Sequence, residues 1–131
     1  MKGQFIQIDR FGTKRHYSDR EMTILHREDG PAIEYTDDSK EWYLNGELHR
    51  EDGPAIEYPN GYKRWYLNGK LHREDGPAIE YVSGSKEWYL NGKELTEDEF
   101  NARTNPVTEL TLDEIAEKFG VSVDRLKIKK G

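Results

Sequence analysis

Apolar and polar positions alternate in short bursts along this chain, and the same bursts come round three times. Ala-Ile-Glu-Tyr ends at Tyr35, Tyr58 and Tyr81, and a run close to Lys-Glu-Trp-Tyr-Leu ends at Leu44, Leu67 and Leu90. Such alternation is the mark of a half-buried strand, whose side chains point to opposite faces in turn. Between the bursts lie Asn-Gly, Asp-Gly and Gly-Pro pairs, which turn a chain. The recurrence is literal: the 11-residue string LHREDGPAIEY starts unchanged at Leu25, Leu48 and Leu71, and the whole unit returns every 23 residues. A period of this length predicts an array whose units bury apolar surface only against their neighbours. The units are 25–47, 48–70 and 71–93, with a degenerate unit at 1–24.

In the middle unit Asn60-Gly61 separates two alternating runs, which predicts a hairpin with a two-residue turn. Tyr58 then faces Lys63, Glu57 faces Arg64, Ile56 faces Trp65 and Ala55 faces Tyr66. A second turn at Asn68-Gly69 leads into the next loop, so the array is an antiparallel meander. Alternation from this register puts Ile33, Tyr35, Trp42 and Leu44, with their equivalents, on a buried face. The other face carries Glu34, Glu41 and Tyr43, then Glu57, Arg64 and Tyr66, then Glu80, Glu87 and Tyr89. There Glu34 would oppose Glu41 and Glu80 would oppose Glu87, like pairs that cost ~0.2–1 kcal/mol each. Tyr43, Tyr66 and Tyr89 among unpaired Glu34, Glu41, Glu80 and Glu87 are therefore the candidate partner-binding residues, and the partner expected there is a protein with a basic surface.

Gly12-Thr13-Lys14-Arg15-His16-Tyr17 aligns with Gly-Tyr-Lys-Arg-Trp-Tyr, so the first unit is worn, with His16 in the tryptophan slot. At the other end Thr96-x-x-Glu99 is a capping box that starts a short helix. Beyond Asn105-Pro106 a second box, Thr111-x-x-Glu114, precedes Leu112, Ile115, Ala116 and Phe119 on one helical face, and Gly120 suits a helix end. The fold expected is mainly β: an antiparallel meander of repeated hairpins over 1–95, closed by a small α-helical C-terminal cap over 96–131.

Composition narrows the function. Only 34% of the 131 residues are apolar and 35% are charged, so 15 aromatics must supply much of the burial. The net charge of −6 argues against unspecific nucleic-acid or membrane binding. With no cysteine there is no disulfide framework, and no apolar run reaches the length of a signal or a membrane span. A cytoplasmic protein is the default. The repeated His-Arg-Glu-Asp invites a metal reading, but His26, His49 and His72 are two strands apart, about 9.5 Å, too far to share an ion. The loops predict structure instead: Asp29, Asp52 and Asp75 accept backbone N–H groups in Asp-Gly turns, and His or Arg ties one loop to the next. No catalytic constellation, cofactor site or metal site is expected, and no enzyme.

The period and the Asn-Gly-Lys turns over residues 5 to 95 resemble the MORN repeat family, in its toxin-antitoxin-associated variant. The HREDGP loop departs from that family's glycine-rich step and looks like loops of uncharacterised proteins from large bacteriophages. The resemblance implies a single-layer curved sheet that docks proteins or lipids and has no activity of its own. It suggests a phage accessory protein that binds and inhibits a host defence factor in the host cytoplasm. The C-terminal string resembles both a helix-turn-helix and the helices of a LysM module. The alternative is accordingly a DNA-binding regulator using Arg125, Lys127, Lys129 and Lys130. From Glu109 to Gly131 five basic residues meet five acidic ones, which leaves no electrostatic footprint for phosphate.

Overall fold

The structure, a computed structural model, describes residues 4–105. Thirteen short strands and one helix follow in order: β1 (Phe5–Ile8), β2 (Lys14–Tyr17), β3 (Ile33–Glu34), β4 (Lys40–Glu41), β5 (Tyr43–Leu44), β6 (Glu47–Leu48), β7 (Ile56–Glu57), β8 (Lys63–Arg64), β9 (Tyr66–Leu67), β10 (Lys70–Leu71), β11 (Ile79–Glu80), β12 (Lys86–Leu90), β13 (Lys93–Leu95) and α1 (Glu97–Thr104). Nine strands form one antiparallel sheet in the order β1-β2-β3-β4-β7-β8-β11-β12-β13, and β5-β6 and β9-β10 form two side ribbons. The fold is thus the mainly β meander that the repeat predicts, with a short helix after it. The chain divides into two compact units, Met1–Phe100 and Asn101–Gly131, and the sheet with its loops belongs to the first. The second capping box at Thr111 and the basic residues Arg125, Lys127, Lys129 and Lys130 lie outside the described residues.

Two kinds of turn build each unit. Asn45-Gly46, Asn68-Gly69 and Asn91-Gly92 are tight two-residue turns with both residues at positive φ, 51°/82°, 50°/79° and 51°/83°. This is the conformation for which Asn-Gly is selected. The turn at Asn60-Gly61 is of the other kind. Tyr58 donates its N–H to the Tyr62 carbonyl at 3.0 Å and Gly61 donates to Tyr58 at 3.0 Å, which encloses three residues. Only Gly61 is left-handed, at φ 100°. The same pair of bonds closes Asp9–Thr13, Tyr35–Ser39 and Tyr81–Ser85. Gly12, Asp38 and Gly84 hold the left-handed place in those loops.

One extra residue in this loop overturns the predicted register. Ile56 faces Arg64 and Glu57 faces Lys63, not Trp65 and Arg64. Likewise Ile33 faces Glu41 and Glu34 faces Lys40, while Ile79 faces Glu87 and Glu80 faces Lys86. Because side chains alternate, a one-residue slip moves a whole strand's set to the opposite face. The expected Glu34–Glu41 and Glu80–Glu87 oppositions therefore do not exist. On one face a single row runs Lys14, Glu34, Lys40, Glu57, Lys63, Glu80, Lys86 across seven strands, alternating in sign at every step. On the other face the row is Arg15, Ile33, Glu41, Ile56, Arg64, Ile79, Glu87.

The small core follows from these rows. Ala32, Ala55 and Ala78 are fully buried, and Ile33, Ile56 and Ile79 are buried on the face opposite them. Each such isoleucine is worth about 1.5–3 kcal/mol, so the sheet rests on a few well-covered positions per unit. After the sheet, Thr96 Oγ accepts the Glu99 N–H at 3.1 Å while Glu99 Oε1 accepts the Thr96 N–H at 2.8 Å, a closed capping box that starts α1 and holds Phe100 in a buried position.

Glu57→Lys would place three lysines side by side on the charged row. The expected loss is about 0.4–2 kcal/mol, two like pairs replacing two opposite ones, and it should shrink at high salt. Urea titrations at low and high salt, with Glu57→Gln as the control, measure it; a loss no larger than that of the control would contradict the register.

Candidate functional site

The three HREDGP loops fold identically because each arginine closes its own loop. Arg27, Arg50 and Arg73 donate Nε–H to Asp29, Asp52 and Asp75 at 2.9, 3.0 and 2.8 Å. Their Nη1 groups donate to the carbonyls of Pro31, Pro54 and Pro77 at 3.2, 3.1 and 3.1 Å. The loop aspartates thus hold arginine rather than the backbone N–H groups expected from the sequence. The guanidinium beside Asp29 keeps that carboxyl below its ordinary range.

Each guanidinium is also a joint between units. Arg50 lies with Cζ 3.8 Å from the centre of the Trp42 ring, and Arg73 lies 3.8 Å from that of Trp65. Bare glycine lies against it: a Cβ on Gly30, Gly53 or Gly76 would come within 3.0, 2.8 or 2.9 Å of the arginine Cζ. None of these glycines has a positive φ, so they are needed for space rather than for backbone freedom. The histidines complete the joint. Nδ1 of His26, His49 and His72 accepts the N–H of Asn45, Asn68 and Asn91 at 2.9 Å each, which fixes the tight turns and leaves the ring hydrogen on Nε2. Nε2 faces Glu28, Glu51 and Glu74 at 3.2, 3.4 and 3.0 Å.

The worn first unit has a weaker joint. His16 takes the tryptophan's place, and its Nε2 meets both Arg27 Nη1 at 3.2 Å and Glu34 Oε2 at 3.3 Å. Its Nδ1 is buried without a partner. Whichever nitrogen carries the hydrogen, one polar contact is missing. Burial first, and then the Arg27 charge, push the His16 pKa down.

The opposite face gathers phenols. Tyr35 and Tyr43 donate to the two oxygens of Glu41 at 3.1 and 3.0 Å, and Tyr81 and Tyr89 donate to those of Glu87 at 3.0 and 3.4 Å. In the middle unit Arg64 replaces the glutamate and lies 5.3 Å from the Tyr66 ring centre, with its Nε buried and unpaired. Tyr62 bridges Tyr58 and Tyr81, with ring centres 5.3 and 5.7 Å apart. Burial and the Glu41 carboxylate raise the Tyr43 phenol pKa, and burial raises that of Tyr66. A hollow of about 560 Å³ opens between Tyr35 and Tyr58, walled by Asp37, Glu41 and Asn60.

Of the residues singled out from the sequence, Tyr43, Tyr66, Tyr89, Glu41 and Glu87 come together on this face. Glu34 and Glu80 do not: they sit on the charged row, held by Arg27 at 3.1 Å and Arg73 at 3.0 Å. Trp42 and Trp65, placed on the buried face by the expected register, are on that charged side too. Tyr35, Tyr58 and Tyr81 stay with the isoleucines but gain Tyr43, Tyr66 and Tyr89 as company. Among the described residues no group of three His, Asp or Glu side chains could hold a metal ion, and no helix is long and apolar enough to cross a membrane. Compared with protein-family models, with curated proteins and with solved structures, the chain matches none.

Gly53→Ala should cost about 1–2 kcal/mol by pushing Arg50 off Trp42, and should cost much less in an Arg50→Ala background. A double-mutant cycle in urea reads the difference; additive losses would mean that Gly53 serves something else. His16→Trp, which restores the repeat and removes a buried unpaired nitrogen, should stabilise by about 1–3 kcal/mol. Its gain should grow on acidification. A depressed folded-state pKa means the folded state prefers neutral His16, so stability is full above the unfolded value of about 6.5 and is lost below it. Unfolding midpoints of both proteins at pH 7.5 and 5.5 measure the two effects.

Proposed function

We propose that the protein is a non-enzymatic interaction module whose tyrosine face receives a partner with a basic surface. The observation that carries this is the row of phenols, Tyr35, Tyr43, Tyr58, Tyr66, Tyr81 and Tyr89, all on one side of a single-layer sheet. Tyrosine offers broad contact area with few rotatable bonds, which favours it at protein interfaces. Glu41 and Glu87 each accept two phenolic hydrogen bonds, so an incoming lysine or arginine would find a carboxylate already held in place. The Asp37 and Glu41 walls of the hollow beside Tyr58 add to that field.

The phage-like HREDGPA loops support a finer version, an accessory protein acting on a host defence factor. Capture from a host lysate tests both. A protein retained by the wild type should be lost with Tyr43→Ala/Tyr58→Ala and kept with the charged-row variant Glu57→Gln. Its association rate should fall severalfold between low and physiological salt as steering is screened. Equal retention by the tyrosine variant and the wild type would move the interface away from this face, and a salt-independent rate would remove the basic partner.

A further inference from the structure

The array repeats one device, an arginine laid on a tryptophan, and leaves it incomplete at one end. Trp42 and Trp65 are each followed eight residues later by the arginine that covers them; Trp88 is followed at that distance by Thr96. Where the repeat would give Lys-Leu-His-Arg-Glu-Asp, the chain reads Lys93-Glu94-Leu95-Thr96-Glu97-Asp98. Leu95 takes the histidine's place and is 5% exposed, close to the 8% of His72. Trp88 pairs with Leu95 as Trp65 bonds to His72, so the strands that frame the ring are in place. Among the described residues no arginine lies over the Trp88 ring. Beside it opens a hollow of about 430 Å³ whose lining includes the indole, Leu95, Lys86 and the carboxylates of Glu87, Glu94, Glu97 and Glu99.

The geometry points to a second interaction site: the Trp88 end of the array receives an arginine side chain of another protein, seated as Arg50 and Arg73 are seated on their tryptophans. Glu97, in the hollow beside the ring, takes the role that Asp52 and Asp75 play in the completed joints, as the carboxylate for the guanidinium edge, while Glu94 faces Tyr89 on the other side of the strand pair. The lining carries four carboxylates against the single ammonium of Lys86, which Glu80 faces, so the hollow is negative. The planar guanidinium can stack on indole and donate sideways at once, whereas the lysine ammonium is a point charge, so the site should prefer arginine. The indole and Leu95 are on the tryptophan side of the sheet, opposite the tyrosine face.

The test uses the full chain and the blocked peptide Gly-Gly-Arg-Gly-Gly, with lysine and uncharged citrulline versions as probes. The three tryptophans give three indole N–H signals in a nitrogen–proton correlation spectrum, and loss of one signal in Trp88→Phe assigns the one that matters. Saturable movement of the Trp88 signal alone is expected with the arginine peptide, weaker movement with lysine and none with citrulline. Glu97→Gln should weaken binding roughly threefold or more, and Tyr43→Ala should leave it unchanged. An unmoved Trp88 signal, equal movement with citrulline, or all three indoles moving together would overturn the proposal.

Discussion

The joints between the repeats pass through an arginine that packs on a ring and against a glycine, Arg50 on Trp42 beside Gly53 and Arg73 on Trp65 beside Gly76. The guanidinium closes the loop that carries it, through aspartate and a proline carbonyl, and in the same position covers the tryptophan of the preceding unit. Loop closure and unit docking are therefore one event. That coupling explains how a chain so poor in aliphatic residues holds thirteen strands, most only two residues long. Burial alone would give little, since only an alanine and an isoleucine per unit are well covered. The planar cation adds stacking, charge-assisted hydrogen bonds and exclusion of water from the ring at a single point.

Much of this was legible in the sequence, and the limits are instructive. The 23-residue period, the hairpin meander, the worn first unit with His16 in the tryptophan slot and the capping box at Thr96 all follow from spacing and residue type. The faces did not, because Asn60-Gly61 satisfies two turn geometries. In isolation it fits a tight two-residue turn, and the middle unit gave sensible cross-strand pairs in that register. The other units carry the correcting signal: Gly12, Asp38 and Gly84 align with Gly61, while the residue aligned with Asn60 is Phe11, Asp37 or Ser83. Only the last loop residue is constrained in all four, which is the signature of a loop with one left-handed position.

The candidate site was half legible for the same reason. Tyr43, Tyr66 and Tyr89 share a face under either register, since their spacing from one another is the period itself. Their relation to Glu34 and Glu80 depended on the loop and was lost with it. The arginine joint left a fainter trace, a tryptophan-to-arginine spacing of eight residues held by an unvarying glycine. Such spacing has no meaning until the ring and the loop are known to lie side by side.

The two faces of the sheet do not share a period. On the tryptophan side every unit presents the same loop to its neighbour, so the pattern returns after one unit. On the tyrosine side the charge under the phenols alternates, Arg15, Glu41, Arg64, Glu87, and returns only after two. An array that gained or lost one unit would keep each mechanical joint but break the alternation of sign. Gain or loss in pairs preserves both. The chain is thus a ruler with two scales, one unit long on the tryptophan side and two units long on the tyrosine side.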